Sequence, residues 1–449
     1  MDEIAISFEG RRDAVAALTW PQRRTWRGSR LKYRPFVYAQ KLPSGKTLSE
    51  VCATIKWAYE EFESLRTVFP LRADGEPYQK VEKAGSVKVP IIKAEESTIG
   101  VSIQDAISHF KRERFDTEAE FGVLFAVLVC ADVPTHIICR CSHLAVDAHG
   151  CRALSAALDA HLSGKHDQSS TPPMQPIERA QLEQSENGQQ KSARALEYWR
   201  EVLEKFPQDD ITSRSAAMVS PALGTAVSII SKKYGVSTSA VYLAAVSVVA
   251  GALIGRNKCS FLLAASNRFS AEERAFVGEL VQSAPGILDS LDMPFNALLP
   301  GAWQASVRGY RFSHYDEQAL LQLLDDLDEN SERKRVFDFA FNDMRSSRKG
   351  ENHKTLTDNL RDAMSLTQVE QRENLYEGPA RFLSVALRED SRTISLVVHD
   401  LYFPEFPAHR ILLAIEALVV GAAMEDAEPL EHPMRFTRNF LAQTVSSSR

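Results

Sequence analysis

Strict alternation of apolar and polar positions marks strands along this chain, and spacings of three and four mark helices. Residues 125–139 form an alternating apolar run that predicts a strand. Ala153, Leu154, Ala157, Leu158 and Leu162 follow at helical spacing. Between them lies Ser142-His143-Leu144-Ala145-Val146-Asp147-Ala148-His149-Gly150. A histidine therefore closes a strand, and an aspartate stands four residues on, in the turn before a helix. The wider run 121–139 divides into two strands around Asp132-Val133-Pro134.

Upstream, residues 14–26 carry the spacing of a short amphipathic helix (Ala14, Leu18, Trp26), interrupted by Pro21. Residues 33–40 predict a strand and 47–62 a helix, with Val51, Ile55, Trp57, Ala58 and Phe62 on its apolar face and Ser49 as its cap. Residues 64–69 enter a hairpin that turns at Asp74-Gly75, where glycine tolerates a positive φ, and returns over 78–81. Residues 103–110 are helical.

Downstream, Leu196, Tyr198 and Trp199 mark a helix, and Ser237 or Thr238 caps another that runs to about Leu253. A strand at 259–265, a helix at 316–327 and a strand at 336–342 follow. Residues 345–357 are a polar loop. A hairpin of 383–387 with 393–398 turns around 388–392, and a helix over 407–423 precedes a polar tail. Each half ends its main sheet alike: 135–141 precede His143, and 393–398 precede His399-Asp400. Two lobes on one α/β plan are expected.

A length of 449 residues is too long for one core, and 44% hydrophobic with 25% charged residues is ordinary for a soluble globular protein. A polar stretch over 163–191, containing Ser169-Ser170-Thr171-Pro172-Pro173, sets the division: an N-terminal lobe at 1–165, a linker or crossing at 166–192 and a C-terminal lobe at 193–449. A net charge of −6 disfavours nucleic-acid binding. The apolar stretch 240–255 is broken by Ser247 and is short for a membrane span, so it reads as a buried helix. The acidic start lacks a signal-peptide layout, and the six cysteines lie mostly in apolar runs without a second metal-ligand pair. Reduced thiols in a cytoplasmic protein, with no metal, are expected.

One segment has a strong charge bias. Arg11, Arg12, Arg23, Arg24, Arg27, Arg30, Lys32 and Arg34 are opposed locally only by Asp13. This is either a solvated face or a docking surface for an acidic partner.

His143 is the candidate for chemistry, since an imidazole offers a neutral nitrogen at pH 7. Asp147 can cap the helix or anchor a cation. His149 reads as a surface or helix-start residue. No Gly-rich phosphate loop, HExxH or GxSxG stands out.

Taken in order, several motifs carry a family likeness. Leu18-Thr19-Trp20-Pro21-Gln22-Arg23-Arg24-Thr25-Trp26 is similar to an opening xxAQxRLW signature. Phe62-Glu63-Ser64-Leu65-Arg66-Thr67-Val68-Phe69 resembles RHExLRTxF, and residues 142–150 resemble HHxxxDG. Asn267-Arg268 with Val277-Gly278-Glu279-Leu280-Val281-Gln282-Ser283 resembles GR…vGxFvNT, and 337–342 a late strand. In this succession the chain, over about 18–423, resembles a free-standing condensation domain of nonribosomal peptide synthesis. That family is a branch of the chloramphenicol-acetyltransferase-like, CoA-dependent acyltransferase superfamily. Ser142 replaces the first histidine, Ala148 the glycine after the aspartate, and Gln282 and Ser283 the Asn-Thr pair.

The resemblance implies two chloramphenicol-acetyltransferase-like lobes in a V-shaped pseudo-dimer, with the active-site tunnel between them. It implies amide or ester formation between an acyl or aminoacyl thioester, on a carrier protein's phosphopantetheine arm, and an amine or hydroxyl acceptor. His143 would be catalytic, as base or positioning group, and Asp147 would form a structural ion pair with Arg268 of the second lobe. Ser142, Ala148, His149, Gly150, Gln282 and Ser283 would border the tunnel, and Arg23, Arg24 and Arg27 would dock an acidic acyl or peptidyl carrier protein. The chain itself would bind no cofactor and act as a monomer, away from nucleic acid and membranes. Transfer from coenzyme A, epimerisation, and a non-catalytic scaffold that recruits a tailoring enzyme are the alternatives.

Overall fold

A computed structural model describes residues 2–27, 35–165, 173–205, 214–328, 337–345, 360–372, 381–387, 393–398 and 407–443. The chain forms two compact units. The first comprises Met1–Ala193, Ser266–Gln282 and His314–Ala319; the second comprises Arg194–Ala265, Ser283–Ser313 and Leu320–Arg449. The expected single cut is therefore replaced by three stretches of chain in each unit. The segment expected as a linker holds the helices Pro176–Gln184 and Glu186–Leu203. Its polar composition hides buried charge: Arg179 and Glu183 are both buried and paired, Nε to Oε1, at 3.1 Å.

The main sheet of the first unit runs, in spatial order, Asp2–Glu9, Ala84–Ala94, Val123–Cys130, Val133–Ser142, Pro35–Lys41. Only the second and third of these strands are parallel. Ile6 and Phe8 alternate inward from an otherwise acidic segment, and Val123 to Val129 supply the centre of the core. The tight turn between the last two sequential strands falls on Ala131 and Asp132, both with positive φ, rather than on 132–134.

Helix Leu48–Glu61 buries Val51, Ile55 and Ala58 against this sheet's core, while half-buried Trp57 stacks on His161 at 4.3 Å. Its cap is Thr47, not Ser49. Thr47 Oγ1 accepts from Glu50 N at 3.2 Å, and the Glu50 carboxylate accepts from Thr47 N at 2.8 Å. The expected helix over 14–26 is instead the strand Ala14–Ala17, paired with Tyr78–Val81, followed by the helix Trp20–Arg27. Pro21 starts that helix rather than interrupting it, since the first turn has no use for its missing N–H.

The second unit is built on a seven-stranded sheet in the order Gln282–Asp289, Lys258–Ala265, Phe337–Asp343, Arg381–Leu387, Thr393–Val398, Arg214–Val219, Gln368–Arg372. Helix Thr238–Ile254, with Ser237 Oγ accepting from Ala240 N at 3.1 Å, runs through its core, packed on Pro221–Tyr234 and Phe295–Arg311. Ala408–Ala423 covers the same sheet, and the tail expected to be polar forms helices Ala427–Glu431 and Pro433–Ala442, burying Met434 and Leu441. Among the described residues no single helix is long and apolar enough to cross a membrane. The polar loop beyond Arg345, the turn 388–392, His399-Asp400, and Arg30, Lys32 and Arg34 lie outside the described residues.

Candidate active site

The strand Val133–Ser142 ends where Ser142 N donates to Gly122 O at 2.8 Å, and the chain turns as Ala145 N and Val146 N donate to Ser142 O. Leu144, Ala145 and Val146 are buried in the first unit's core. Three consecutive apolar side chains thus anchor the turn and leave His143 as its part-exposed residue, with 19% of the side chain accessible. The imidazole lies against the Phe36 ring, centroids 4.4 Å apart.

Its polar partner is Glu279. Nδ1 of His143 is 3.3 Å from Oε2 of a carboxylate that is 0% exposed. Burial alone would depress the imidazole's proton affinity, but the hydrogen bond to Glu279 and its charge, helped by a bond to the residue's own backbone and by the Asp147 charge, raise the His143 pKa above the ordinary value. Burial raises the Glu279 carboxyl in turn, against the pull of His143 and Arg24. Glu279 Oε1 is buried without a hydrogen-bond partner.

Asp147 caps the next helix, Ala148–Leu162, with Oδ1 accepting from Gly150 N at 2.7 Å. Its other oxygen accepts from Arg268 Nη1 at 2.7 Å and from Leu280 N at 2.8 Å. Arg268 Nη2 donates to Gly278 O at 2.9 Å, and Asp147 N donates to the same carbonyl at 3.3 Å. Ser64 Oγ holds the neighbouring Val277 carbonyl. The turn after His143 and the segment that carries Glu279 are therefore clamped to each other through one carboxylate and one guanidinium.

The Condensation domain family model matches residues 13–405. The chain belongs to the condensation-domain family. Solved structures are alike in fold at low identity. The condensation domain of the monacolin K polyketide synthase MokA matches at TM-score 0.71 and 13% identity, covering 93% of this chain and 99% of that one. SgcC5 of Streptomyces globisporus, solved with (R)-(-)-1-(2-naphthyl)-1,2-ethanediol and sucrose, matches at 0.67 and 15%, covering 93% and 100%. The X-domain from teicoplanin biosynthesis matches at 0.66 and 14%, covering 95% and 98%. No curated protein sequence matches the chain. The mixed α/β architecture in two units is the chloramphenicol-acetyltransferase-like one of condensation domains.

Within this condensation domain, Arg268 pairs with Asp147, but it lies in the stretch Ser266–Gln282, which belongs to the first unit rather than to a separate second lobe. Ala148 is the first helical residue, not at positive φ, so its backbone requires no glycine. Gly150 does require one: a Cβ there would lie 2.6 Å from Gly278 O. Ser142 is buried, its Oγ accepting from Leu144 N at 3.3 Å, and Gln282 is buried with Nε2 donating to Tyr315 O at 2.8 Å. His149 is half-buried 3.1 Å from Arg152, and Ser283 is half-buried in the second unit's sheet.

The basic segment is less open than its composition suggests. Arg11 pairs with Glu61, Arg12 with Glu63 and Glu178, and Arg23 with Glu76 and, at 2.9 Å, Gln318 Oε1. Arg24 is half-buried and acts on Glu279 and Glu317; Arg27 is exposed. Sequence reasoning passed over Glu279 because it sat inside a motif matched for its glycine. Its signal was a lone charge between Val277 and Leu280, in an otherwise apolar run, where burial demands a partner.

Proposed function

We propose that this condensation domain transfers an acyl or aminoacyl group from a thioester on a carrier protein's phosphopantetheine arm to an amine or hydroxyl acceptor. The observation that carries the reading is His143, held part-exposed on a buried, clamped turn with a carboxylate on Nδ1. A neutral imidazole takes the acceptor's proton as the new bond to the thioester carbonyl forms. It then returns that proton to the departing thiolate as the C–S bond breaks. General-base help of this kind contributes about 10²–10⁴-fold. Alignment of thioester and acceptor supplies more, through effective molarity. Coenzyme A is the alternative donor. Among the described residues of the basic segment, Arg27, exposed on helix Trp20–Arg27, is the one we assign to meet an acidic carrier.

The test is intact-mass detection of acyl transfer from loaded carrier proteins to a panel of amines and alcohols, by wild type and His143→Ala. Loss of product in the variant with carrier binding retained supports the reading. Equal product from both proteins, or none from wild type, sinks it. The second reading, a scaffold that binds a partner enzyme, is favoured by the likeness to an X-domain solved in complex with OxyB, at TM-score 0.65 and 15% identity over 94% of this chain and 96% of that one. It expects binding without product.

A further inference from the structure

We infer that Glu279 is a positioning residue which fixes the tautomer of His143 and equips the site for a hydroxyl acceptor. The inference deepens the acyl-transfer reading and rests on it for the acceptor, but not for the coupling of the two side chains.

The geometry comes first. Glu279 Oε2 is 3.3 Å from His143 Nδ1, and the carboxylate has no exposure to solvent. A carboxylate oxygen accepts only, so Nδ1 must carry the proton, and Nε2 is left with the lone pair. Among the described residues the groups facing this pair are few, and the imidazole also bonds to its own backbone. Asp147 lies across the same turn, paired with Arg268 at 2.7 Å, and its charge still raises the proton affinity of both His143 and Glu279. Phe36 contributes a ring face without charge. Arg24, on the helix Trp20–Arg27, acts on Glu279 and favours its ionised form. Among the described residues Glu279 Oε1 meets no hydrogen-bond donor, so no capping or turn role accounts for a buried charge at this position. Burying a carboxylate is costly unless it is paired, and the His143 imidazole is the hydrogen-bond partner this one has among the described residues.

The chemistry follows from what such a pair changes. A buried carboxylate on Nδ1 stabilises the imidazolium and makes Nε2 a stronger base, the arrangement that activates a hydroxyl in acyl-transfer triads. An amine attacks a thioester with a lone pair it already has and loses its proton afterwards, so a strengthened base gains it little. An alcohol must give up its proton as the C–O bond forms. In the step proposed, the O–H proton passes to Nε2 while oxygen bonds to the carbonyl carbon. The C–S bond then breaks, and the Nε2 proton goes to the thiolate. Glu279 stays ionised throughout and takes no proton.

Two measurements test this. In protein labelled at histidine, the His143 imidazole resonances, identified by their loss in His143→Asn, are followed against pH. Glu279→Gln, which keeps the shape and removes the charge, lowers the His143 midpoint by about 1 pH unit or more, and Glu279→Asp lowers it less. An unmoved midpoint in Glu279→Gln overturns the positioning role whether or not turnover is seen.

Acetyl, hexanoyl and benzoyl pantetheine thioesters are then offered with benzyl alcohol or benzylamine, a pair matched in shape. Wild type forms the ester, and Glu279→Gln slows ester formation by about 10²-fold and amide formation far less. Equal losses on both acceptors, or amide alone from wild type, overturn the hydroxyl selection. A lowered midpoint with no product from any pair, including the same acyl groups loaded on a carrier protein, overturns the acyl-transfer reading and the acceptor with it, leaving the coupling of Glu279 to His143 established.

Discussion

Asp147 Oδ2 lies 2.7 Å from Arg268 Nη1 across 121 positions of sequence, with the two side chains 1% and 4% exposed. The same carboxylate caps a helix and receives the backbone N–H of Leu280, so it is the junction of three pieces of chain. Removing one member of a buried pair strands the other's charge, at about 3–5 kcal/mol. Asp147→Ala is therefore expected to lower the unfolding free energy measured in urea by an amount of that order, with a correspondingly lower midpoint. A second change, Arg268→Met in the same protein, recovers part of the loss. A wild-type midpoint for Asp147→Ala would remove the clamp from the account.

A second pair of neighbours separates two small residues in one turn. Gly150→Ala sets a methyl against the Gly278 carbonyl and should cost about 1–3 kcal/mol, the usual penalty of overpacking. Ala148→Gly meets no such contact and loses helix propensity alone, about 1 kcal/mol or less. Thermal melts of both variants check the contrast, and the reverse order of costs would contradict it.

Acid sensitivity should reside in His314. Its Nε2 is 2.6 Å from Arg179 Nη2 and 3.1 Å from Glu183 Oε1. Burial, then the Arg179 charge, lower its pKa below the ordinary value despite Glu183. The unfolded chain, titrating near 6.5, then binds a proton that the folded chain refuses. Stability from this site is complete above about pH 6.5 and is lost as pH falls toward the lowered folded value. Melting temperature between pH 7.5 and 5.5 should fall less in His314→Gln than in wild type. Parallel curves for the two proteins would rule the site out.

Charge reversal in the basic segment should act differently at neighbouring positions. Arg27→Glu changes an exposed charge and is expected to weaken carrier-protein binding with a reduced salt dependence, at a melting temperature lowered only slightly through the lost pull on buried Glu317. Arg23→Glu also breaks contacts to Gln318 and Glu76, so part of its effect appears as lost stability. Titration calorimetry at two salt concentrations, beside thermal melts, distinguishes them. Unaltered binding by Arg27→Glu would end its docking role.

The His143 turn was legible because its apolar residues Leu144, Ala145 and Val146 follow an alternating run and precede a helical spacing, each pattern set by burial on one face. Asp147 with Arg268 was legible from family likeness alone, since nothing local joins residues so far apart. The strands Asp2–Glu9 and Ala84–Ala94 were not legible although Ile4, Ile6 and Phe8 alternate, because Asp2, Glu3 and Glu9 flank that alternation and give the segment an acidic composition. The stretch around Arg179 and Glu183 reads as a linker for the same reason: composition counts charges as solvated, and here they are buried in a pair. Glu279 needed the three-dimensional neighbour, His143, before its position had a meaning.

Two later stretches of the chain, Ser266–Gln282 and His314–Ala319, complete the first unit. Of two fragments severed after Ala193, the earlier would be missing part of its own interior, keeping His143 while forfeiting both Glu279 and Arg268, and the later would carry two stretches that belong to the other unit. Chimeras that exchange halves with a relative at that point would set an aspartate from one parent before a guanidinium evolved in another. A viable graft must transplant the two later stretches together with the leading portion, as a discontinuous cassette.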